Sequence, residues 1–276
     1  MKGVSVPTIH FVSGLPRAGS TLLAAILRQN PRFHAGMTSP VGSLFATLLG
    51  EMSGRSEFSM FIDDERRKRV LHGLFAAYYA DVDAEVVFDT NRLWCSKVGA
   101  LKALFPRAKL IACVREVSWI MDSIERLVRA NAFSPSSMFN FQALGTVYTR
   151  TNALAGPEGM VGFAFDALKE AFFGPDADRL LLVRYESLVA HPRETLEAIY
   201  AFIGEPVFAH DFDSVRYDAS EFDAKAGTPG LHTVRPVVQA VPRRTILPPD
   251  LFRRFESDAF WNDGQAGAGA SAARVV

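Results

Sequence analysis

The chain has 276 residues, 49% hydrophobic and 22% charged, enough apolar material for one large α/β domain or two small ones. Thirty Lys plus Arg balance thirty Asp plus Glu, so no global field recruits nucleic acid or an anionic membrane, and any anion site must be local. The two cysteines, Cys95 and Cys113, form no CxxC pair and sit near no His cluster, which argues against a disulfide framework or structural zinc and predicts reduced, half-buried residues.

In chain order, residues 8–13 (TIHFVS) read as a strand that stops at Gly14-Leu15-Pro16, and residues 21–30 as a helix with Pro31 just beyond it. Residues 65–81 show helical spacing, with Val70, Leu71, Leu74, Phe75 and Tyr78 on one face. Residues 85–89 are a second strand, followed by a crossover helix over 95–105. Residues 109–115 are a third strand, followed by a helix over 120–129. Residues 179–185 are a fourth strand, and the helix at 192–203 is closed by Gly204 and Pro206. Apolar strands alternating with helices predict a mainly parallel, doubly wound α/β sheet, with ligands beyond the carboxyl ends of its strands. The aromatic-rich stretch 132–174 reads as an insertion or lid over that edge. Residues 1–263 are expected to form a single domain and residues 264–276, rich in Gly, Ala and Ser, a disordered tail. The first seven residues lack the apolar run of a secretory signal and no run is long enough for a membrane span, so a cytoplasmic location is expected.

Residues 14–21 (GLPRAGST) lie between a strand and a helix, where successive backbone N–H groups and the helix N-terminus favour phosphate. Ala18, Gly19 and Ser20 are small enough for the main chain to approach an anion, and Ser20 and Thr21 add hydroxyl donors. The glycine spacing fits GxxxxGK[ST], but Ser20 stands at the Lys position and the basic residue is Arg17, three places earlier. Arg115 ends the third strand and Ser123 follows about two helical turns later, with Glu116 or Ser118 near the N-cap. The planar fork of an Arg suits a phosphate monoester, so the two loops together suit a nucleotide bearing phosphates at two separated positions.

These residues resemble the sulfotransferase superfamily, in its bacterial form with a GLPRxGST loop. The match runs through residues 13–23 (SGLPRAGSTLL), the 89–111 run (DTNRLWCSKVGALKALFPRAKLI), the spacing of Arg115 and Ser123, residues 180–188 (LLLVRYESL) and residues 191–206. The resemblance implies a P-loop-like α/β fold and transfer of a sulfuryl group from 3′-phosphoadenosine 5′-phosphosulfate (PAPS) to an acceptor hydroxyl, leaving 3′,5′-adenosine bisphosphate, with no metal. It places Pro16, Arg17, Ala18, Gly19, Ser20 and Thr21 at the 5′-phosphosulfate, with Arg17 stabilising charge on the bridging and sulfuryl oxygens. Arg115 and Ser123 fall at the 3′-phosphate and Tyr185 at the adenine. A late basic loop is also implied. Residues 227–244 supply it, with His232, Arg235 and Arg244 as clamps for the cofactor or acceptor.

The general base is open. Some relatives use a Glu about twenty residues after the first loop, but residues 35–40 (AGMTSP) hold no carboxylate. Others use a His after the second strand, where this chain has Asp89. Asp89 is favoured and His232 is second, while Asp89 reads almost as well as a cap or an ion-pair partner of Arg92. His34 reads as a surface residue. Phe133, Phe139, Phe141 and Tyr148 are either an acceptor pocket or, better, the core of a helical lid. The expected acceptor is a small-molecule, sugar or peptide hydroxyl. Two other readings remain: a metal-dependent P-loop kinase with Asp89 on Mg²⁺, and a nucleotide-binding protein without activity.

Overall fold

Residues 86–88, 110–114 and 180–183 carry apolar side chains without alternation, so both faces of each strand must be covered. The computed structural model describes residues 7–54, 56–142, 145–262 and 270–276 and shows that covering. Its elements are β1 (Thr8–Gly14), α1 (Ser20–Leu27), β2 (Phe33–Ala35), α2 (Val41–Glu51), α3 (Asp64–Tyr78), β3 (Val86–Thr90), α4 (Val98–Leu104), β4 (Leu110–Val114) and α5 (Val117–Ala130). They continue with α6 (Val147–Ala155), α7 (Met160–Phe173), β5 (Leu180–Arg184), α8 (Tyr185–Ala190), α9 (Pro192–Ile203), α10 (Ser220–Lys225), α11 (Pro249–Arg254) and β6 (Arg274–Val275).

The strands form one sheet in the order β2-β3-β1-β4-β5-β6, and every neighbouring pair is parallel. On one face Phe11 of β1 meets Phe75 of α3 and Trp94, at ring-centroid distances of 5.7 and 5.2 Å. On the other, Phe33 of β2 packs on Phe88 of β3 and Tyr200 of α9, at 5.2 and 5.5 Å. The sheet is therefore doubly wound, and its strand order reverses at β1, which lies between β3 and β4. A crevice opens there, at the carboxyl ends of the strands.

Several expectations are revised. The tail reading fails for residues 270–276: Val276 N donates to Leu182 O at 2.9 Å, Arg184 N donates to Val276 O at 2.9 Å, and Ala273 is buried. An edge strand needs only backbone partners, so Arg274–Val275 joins β5 without an aromatic anchor. The rest of the expected tail lies outside the described residues, as do the first six residues of the leader reading. The stretch 132–174 is not a lid throughout. Val161, Ala164, Leu168 and Phe172 of α7 are buried core residues, and among the described residues of the stretch only Ser137, Met138 and Met160 reach the crevice.

The crossover expected over 95–105 opens as a 3₁₀ turn, Arg92–Lys97, before α4 begins. On α3 the buried stripe narrows to Leu71 and Phe75, leaving Val70 and Tyr78 exposed. Cys95 and Cys113 are free and fully buried rather than half-buried, and burial raises their thiols to about 11 and about 12. His34 is exposed, as expected. No helix among the described residues is long and apolar enough to cross a membrane.

Candidate active site

The loop after β1 is shaped by what its backbone must avoid. Gly14 has φ +102°, and a Cβ there would lie 2.2 Å from the Cys113 carbonyl oxygen of β4. Gly19, the N-cap of α1, has φ +97°, and its missing Cβ leaves room for the Tyr185 ring, 3.0 Å from where that carbon would sit. Both positions require glycine. Leu15 and Ala18 are buried and pin the loop to the core. Ala18 is therefore a buttress and not part of the crevice wall, while Pro16, Arg17, Gly19, Ser20 and Thr21 line the crevice.

Arg17 adopts the left-handed conformation at φ 59°, uncommon for a side chain with a Cβ. Its Nε donates to Ser123 Oγ at 3.1 Å and its Nη1 donates to the Leu231 carbonyl. Three segments remote in sequence thus converge on one guanidinium. Desolvation, and then the charges of Arg115 and Arg243, lower its pKa to about 10.

Arg115, just past β4, lies over the Tyr185 ring with its guanidinium carbon 4.1 Å from the centroid. Its Nε is buried and makes no hydrogen bond, since the nearest carboxylate oxygen, on Glu186, is 3.8 Å away. Trp119, one turn into α5, adds a second aromatic wall, and the Arg243 guanidinium carbon sits 5.1 Å from its centroid. Glu116 is the N-cap of α5 but makes no side-chain cap, and Ser118 is buried.

The late loop divides its basic residues. Arg243 points into the crevice, with Nη2 3.2 Å from Asp122 Oδ2 and donating to the Trp119 carbonyl at 3.2 Å. Arg244, one of the three clamps expected from sequence, lies off the crevice wall, and its carbonyl accepts from Arg126. Buried Asp122 also accepts from Ile246 N at 2.7 Å and Thr245 Oγ1 at 3.1 Å, so it fastens the loop and decides which arginine faces in. Arg235 is exposed on the crevice wall. His232 lines the crevice too. Its Nδ1 is 2.5 Å from Asp223 Oδ1, and its backbone N–H donates to Asp223 Oδ2 at 2.8 Å. Asp223, on α10, is itself buried.

Asp89 does not reach the crevice. It is fully buried in β3, where Tyr79 Oη and Ser39 Oγ donate to its Oδ2 at 2.5 and 2.8 Å, and Trp94 Nε1 donates to Oδ1 at 2.8 Å. Arg92 is not its partner. Burial raises the Asp89 pKa, opposed by those three donors. With both oxygens engaged inside the core, Asp89 is available neither to an acceptor proton nor to a Mg²⁺ in the crevice, so the role as base and the kinase reading both lose their residue.

Phe133, Phe139, Phe141 and Tyr148 all lie off the crevice wall, and only Phe139 is buried. The wall is instead Met37, Met138, Met160 and Phe222 on its apolar side. The whole crevice measures about 890 Å³, room for a nucleotide and a further small group. Arg17, Arg92, Arg115, Arg235 and Arg243 line it, against Glu186 as the single carboxylate among the described lining residues. The surplus positive charge, the orphaned Arg115 Nε and the glycine-built loop fit a polyanionic nucleotide. Asp223, Trp119, Arg92 and Arg243 were missed from sequence. Only the adjacent pair Arg243-Arg244 carried a signal, and it did not say which of the two turns inward.

Comparison with known proteins bears on the family and the fold. Residues 10–210 match the model of a sulfotransferase family. The chain is 27% identical over 209 residues to protein-tyrosine sulfotransferase 1 of Danio rerio, covering 71% of this chain and 53% of that protein. It is 25% identical over 204 residues to the protein-tyrosine sulfotransferase of Drosophila melanogaster, covering 71% of this chain and 38% of the relative. The chain thus spans about half or less of the length of these relatives. Among solved structures, the sulfotransferase domain from the curacin biosynthetic pathway superposes with a TM-score of 0.59 at 14% identity, over 91% of this chain and 96% of that one. That likeness is one of fold.

Proposed function

Since the chain belongs to the sulfotransferase family, we propose that it transfers a sulfuryl group from PAPS to an acceptor hydroxyl and releases 3′,5′-adenosine bisphosphate. The observation that carries this reading is the left-handed Arg17, held by Ser123 and Leu231 at the meeting point of both anion loops and the late loop.

The residues present have the chemistry to hold the donor. Backbone N–H groups of the loop after β1, with the Ser20 and Thr21 hydroxyls, suit the 5′-phosphosulfate. Arg115 offers its unpartnered Nε to the 3′-phosphate, beside Ser123. Tyr185 and Trp119 offer ring faces to the adenine. When bound, PAPS supplies a sulfuryl group on a phosphate leaving group. Arg17 is the donor that meets charge growing on the bridging oxygen, as fixed donors aimed at developing charge do.

His232 is the base. The Asp223 carboxylate holds the proton on Nδ1, which leaves the Nε2 lone pair free to take the acceptor's proton. Burial lowers the His232 pKa below the ordinary histidine value, more than Asp223 raises it, so the imidazole is neutral and competent near pH 7. The O–S bond to the acceptor forms as the bond to the phosphate oxygen breaks, and the proton ends on His232. A small-molecule or peptide hydroxyl is the expected acceptor.

The test is transfer of label from sulfur-labelled PAPS to an acceptor library, in EDTA. Labelled product with release of the bisphosphate is the expected result. Absence of transfer to every acceptor, or activity that appears only with ATP and Mg²⁺, would overturn the reading.

A further inference from the structure

A second, smaller cavity of about 430 Å³ adjoins the crevice, walled by residues 218–222 and Lys225 with Met37 opposite. Among the described residues only Met37 and Phe222 line both cavities, so these two side chains stand between them. The main chain is held on each side of the gap. Met37 N donates to Tyr217 Oη at 2.7 Å, which ties the chain after β2 to the residue just before the outer wall. Phe222 precedes Asp223, whose carboxylate engages both the backbone N–H and Nδ1 of His232. What separates the cavities is thus an unbranched thioether and an aromatic ring left 45% exposed. Both side chains can turn without moving the backbone.

The gap opens beside the proposed base. Phe222 stands edge-on to His232, with ring centroids 5.5 Å apart. A hydroxyl presented to His232 leaves the rest of its molecule to be placed. The arginine-lined part of the crevice belongs to the donor in the sulfotransferase reading, and the apolar gap beside Phe222 leads away from it. The two cavities also differ in charge. The crevice is lined by a surplus of arginines, whereas the outer cavity carries Asp218 and Glu221 against Lys225. Lys225 Nζ is already 3.0 Å from Glu221. Asp218 accepts from Ser220 N and Oγ at 2.9 and 2.8 Å, which holds its pKa below the ordinary carboxylate value. An anionic group entering the outer cavity would meet like charge.

We infer that the outer cavity is an acceptor subsite. The acceptor is an elongated hydroxyl compound whose apolar body passes between Met37 and Phe222, and whose far end, neutral or cationic but not anionic, rests against residues 218–222. Met37 and Phe222 then select the acceptor by width, and the outer cavity selects it by length. This inference rests on the sulfotransferase reading for which end of the compound lies at His232.

The probes are para-ethylphenol and para-octylphenol, the octyl compound with a terminal amine or carboxylate, and propanol and decanol as an aliphatic pair. Transfer from PAPS is measured as kcat/KM, and probe binding by calorimetry with saturating 3′,5′-adenosine bisphosphate. Wild type should favour the long member of each neutral pair by roughly ten- to hundredfold, the gain from burying two or three methylenes at about fourfold each. It should favour the amine over the carboxylate by roughly three- to tenfold, the scale of an exposed charge contact. Ala219→Trp fills the outer cavity from a residue off the crevice wall. It should abolish the length preference while turnover of the short acceptors and bisphosphate affinity stay unchanged. Lys225→Trp plugs the same cavity from an exposed position and serves if Ala219→Trp lowers the melting temperature. A length preference that survives both plugs would overturn the inference. So would equal use of short and long acceptors by wild type, preference for the carboxylate over the amine, or failure of every long probe to bind. If no acceptor receives label, yet the long probes bind better and the plugs remove the difference, the sulfotransferase reading fails and the subsite stands.

Discussion

The Arg17 Nε donates to Ser123 Oγ at 3.1 Å, so the loop after β1 and the helix after β4 share a hydrogen bond although 106 residues separate them. The two anion subsites read separately from the sequence therefore abut. Arg17→Ala should lower kcat by about 10²–10³, the usual cost of losing one donor aimed at developing charge. Affinity for the bisphosphate should fall much less, because Arg115, Tyr185 and Trp119 remain. Steady-state transfer beside calorimetry checks this, and wild-type turnover in the variant would remove Arg17 from the chemistry.

Arg115 has a buried Nε with no hydrogen-bond partner, which a 3′-phosphate would supply. In thermal-shift measurements 3′,5′-adenosine bisphosphate should protect wild type more than 5′-AMP does. Arg115→Ala should bring the two ligands level. Equal protection of wild type by both ligands would place the second phosphate elsewhere.

The dyad of His232 and Asp223 predicts a pH profile with a definite sign. The proposed base is active when neutral, and its pKa lies below the ordinary 6.5, so kcat/KM should fall only as pH drops below that value. Asp223 raises the His232 pKa, so Asp223→Asn should move the acid limb to lower pH while also lowering kcat, as expected of a positioning residue. His232→Gln should lose about 10²–10⁴ in rate. An unchanged acid limb in Asp223→Asn would disconnect Asp223 from the base.

Asp89 is expected to act on stability alone. In Asp89→Asn the new NH₂ group faces one of the donors that now serve the carboxylate, Trp94 Nε1, Tyr79 Oη or Ser39 Oγ. The expected loss is roughly 1–3 kcal/mol in chemical denaturation. Turnover per folded molecule should be little changed, and a large selective loss of kcat would restore Asp89 as a base.

His10 provides a stability test far from the chemistry. It is buried in β1, its Nδ1 accepts from Lys109 N at 3.1 Å, and burial, followed by the charge of Lys109, lowers its pKa to about 4. A histidine held neutral in the fold contributes fully above its unfolded value of 6.5, and the contribution is lost as pH falls toward 4. His10→Asn keeps an acceptor for Lys109 N and does not titrate. Its unfolding free energy should therefore fall less steeply across that window, by about one proton's worth, or roughly 1.4 kcal/mol per pH unit. Parallel curves for the two proteins would contradict the assignment.

The sequence by itself determined what local chemistry can determine. Unbroken apolar runs in β3, β4 and β5 had to be interior parallel strands, and the spacing of Gly14 and Gly19 around Arg17 marked an anion loop between a strand and a helix. Only the tertiary structure decided which polar groups face the crevice. Asp89 stands at a strand end in sequence, but Tyr79 and Trp94 close over it from elements that pack against β3. Arg243 rather than Arg244 turns inward because Asp122 of α5 grips the loop. His232 has its Nδ1 engaged, as the proposed base requires, only because α10 sets Asp223 against it. Each of these outcomes depends on side chains meeting across elements, and residue spacing along the chain carries no record of such meetings.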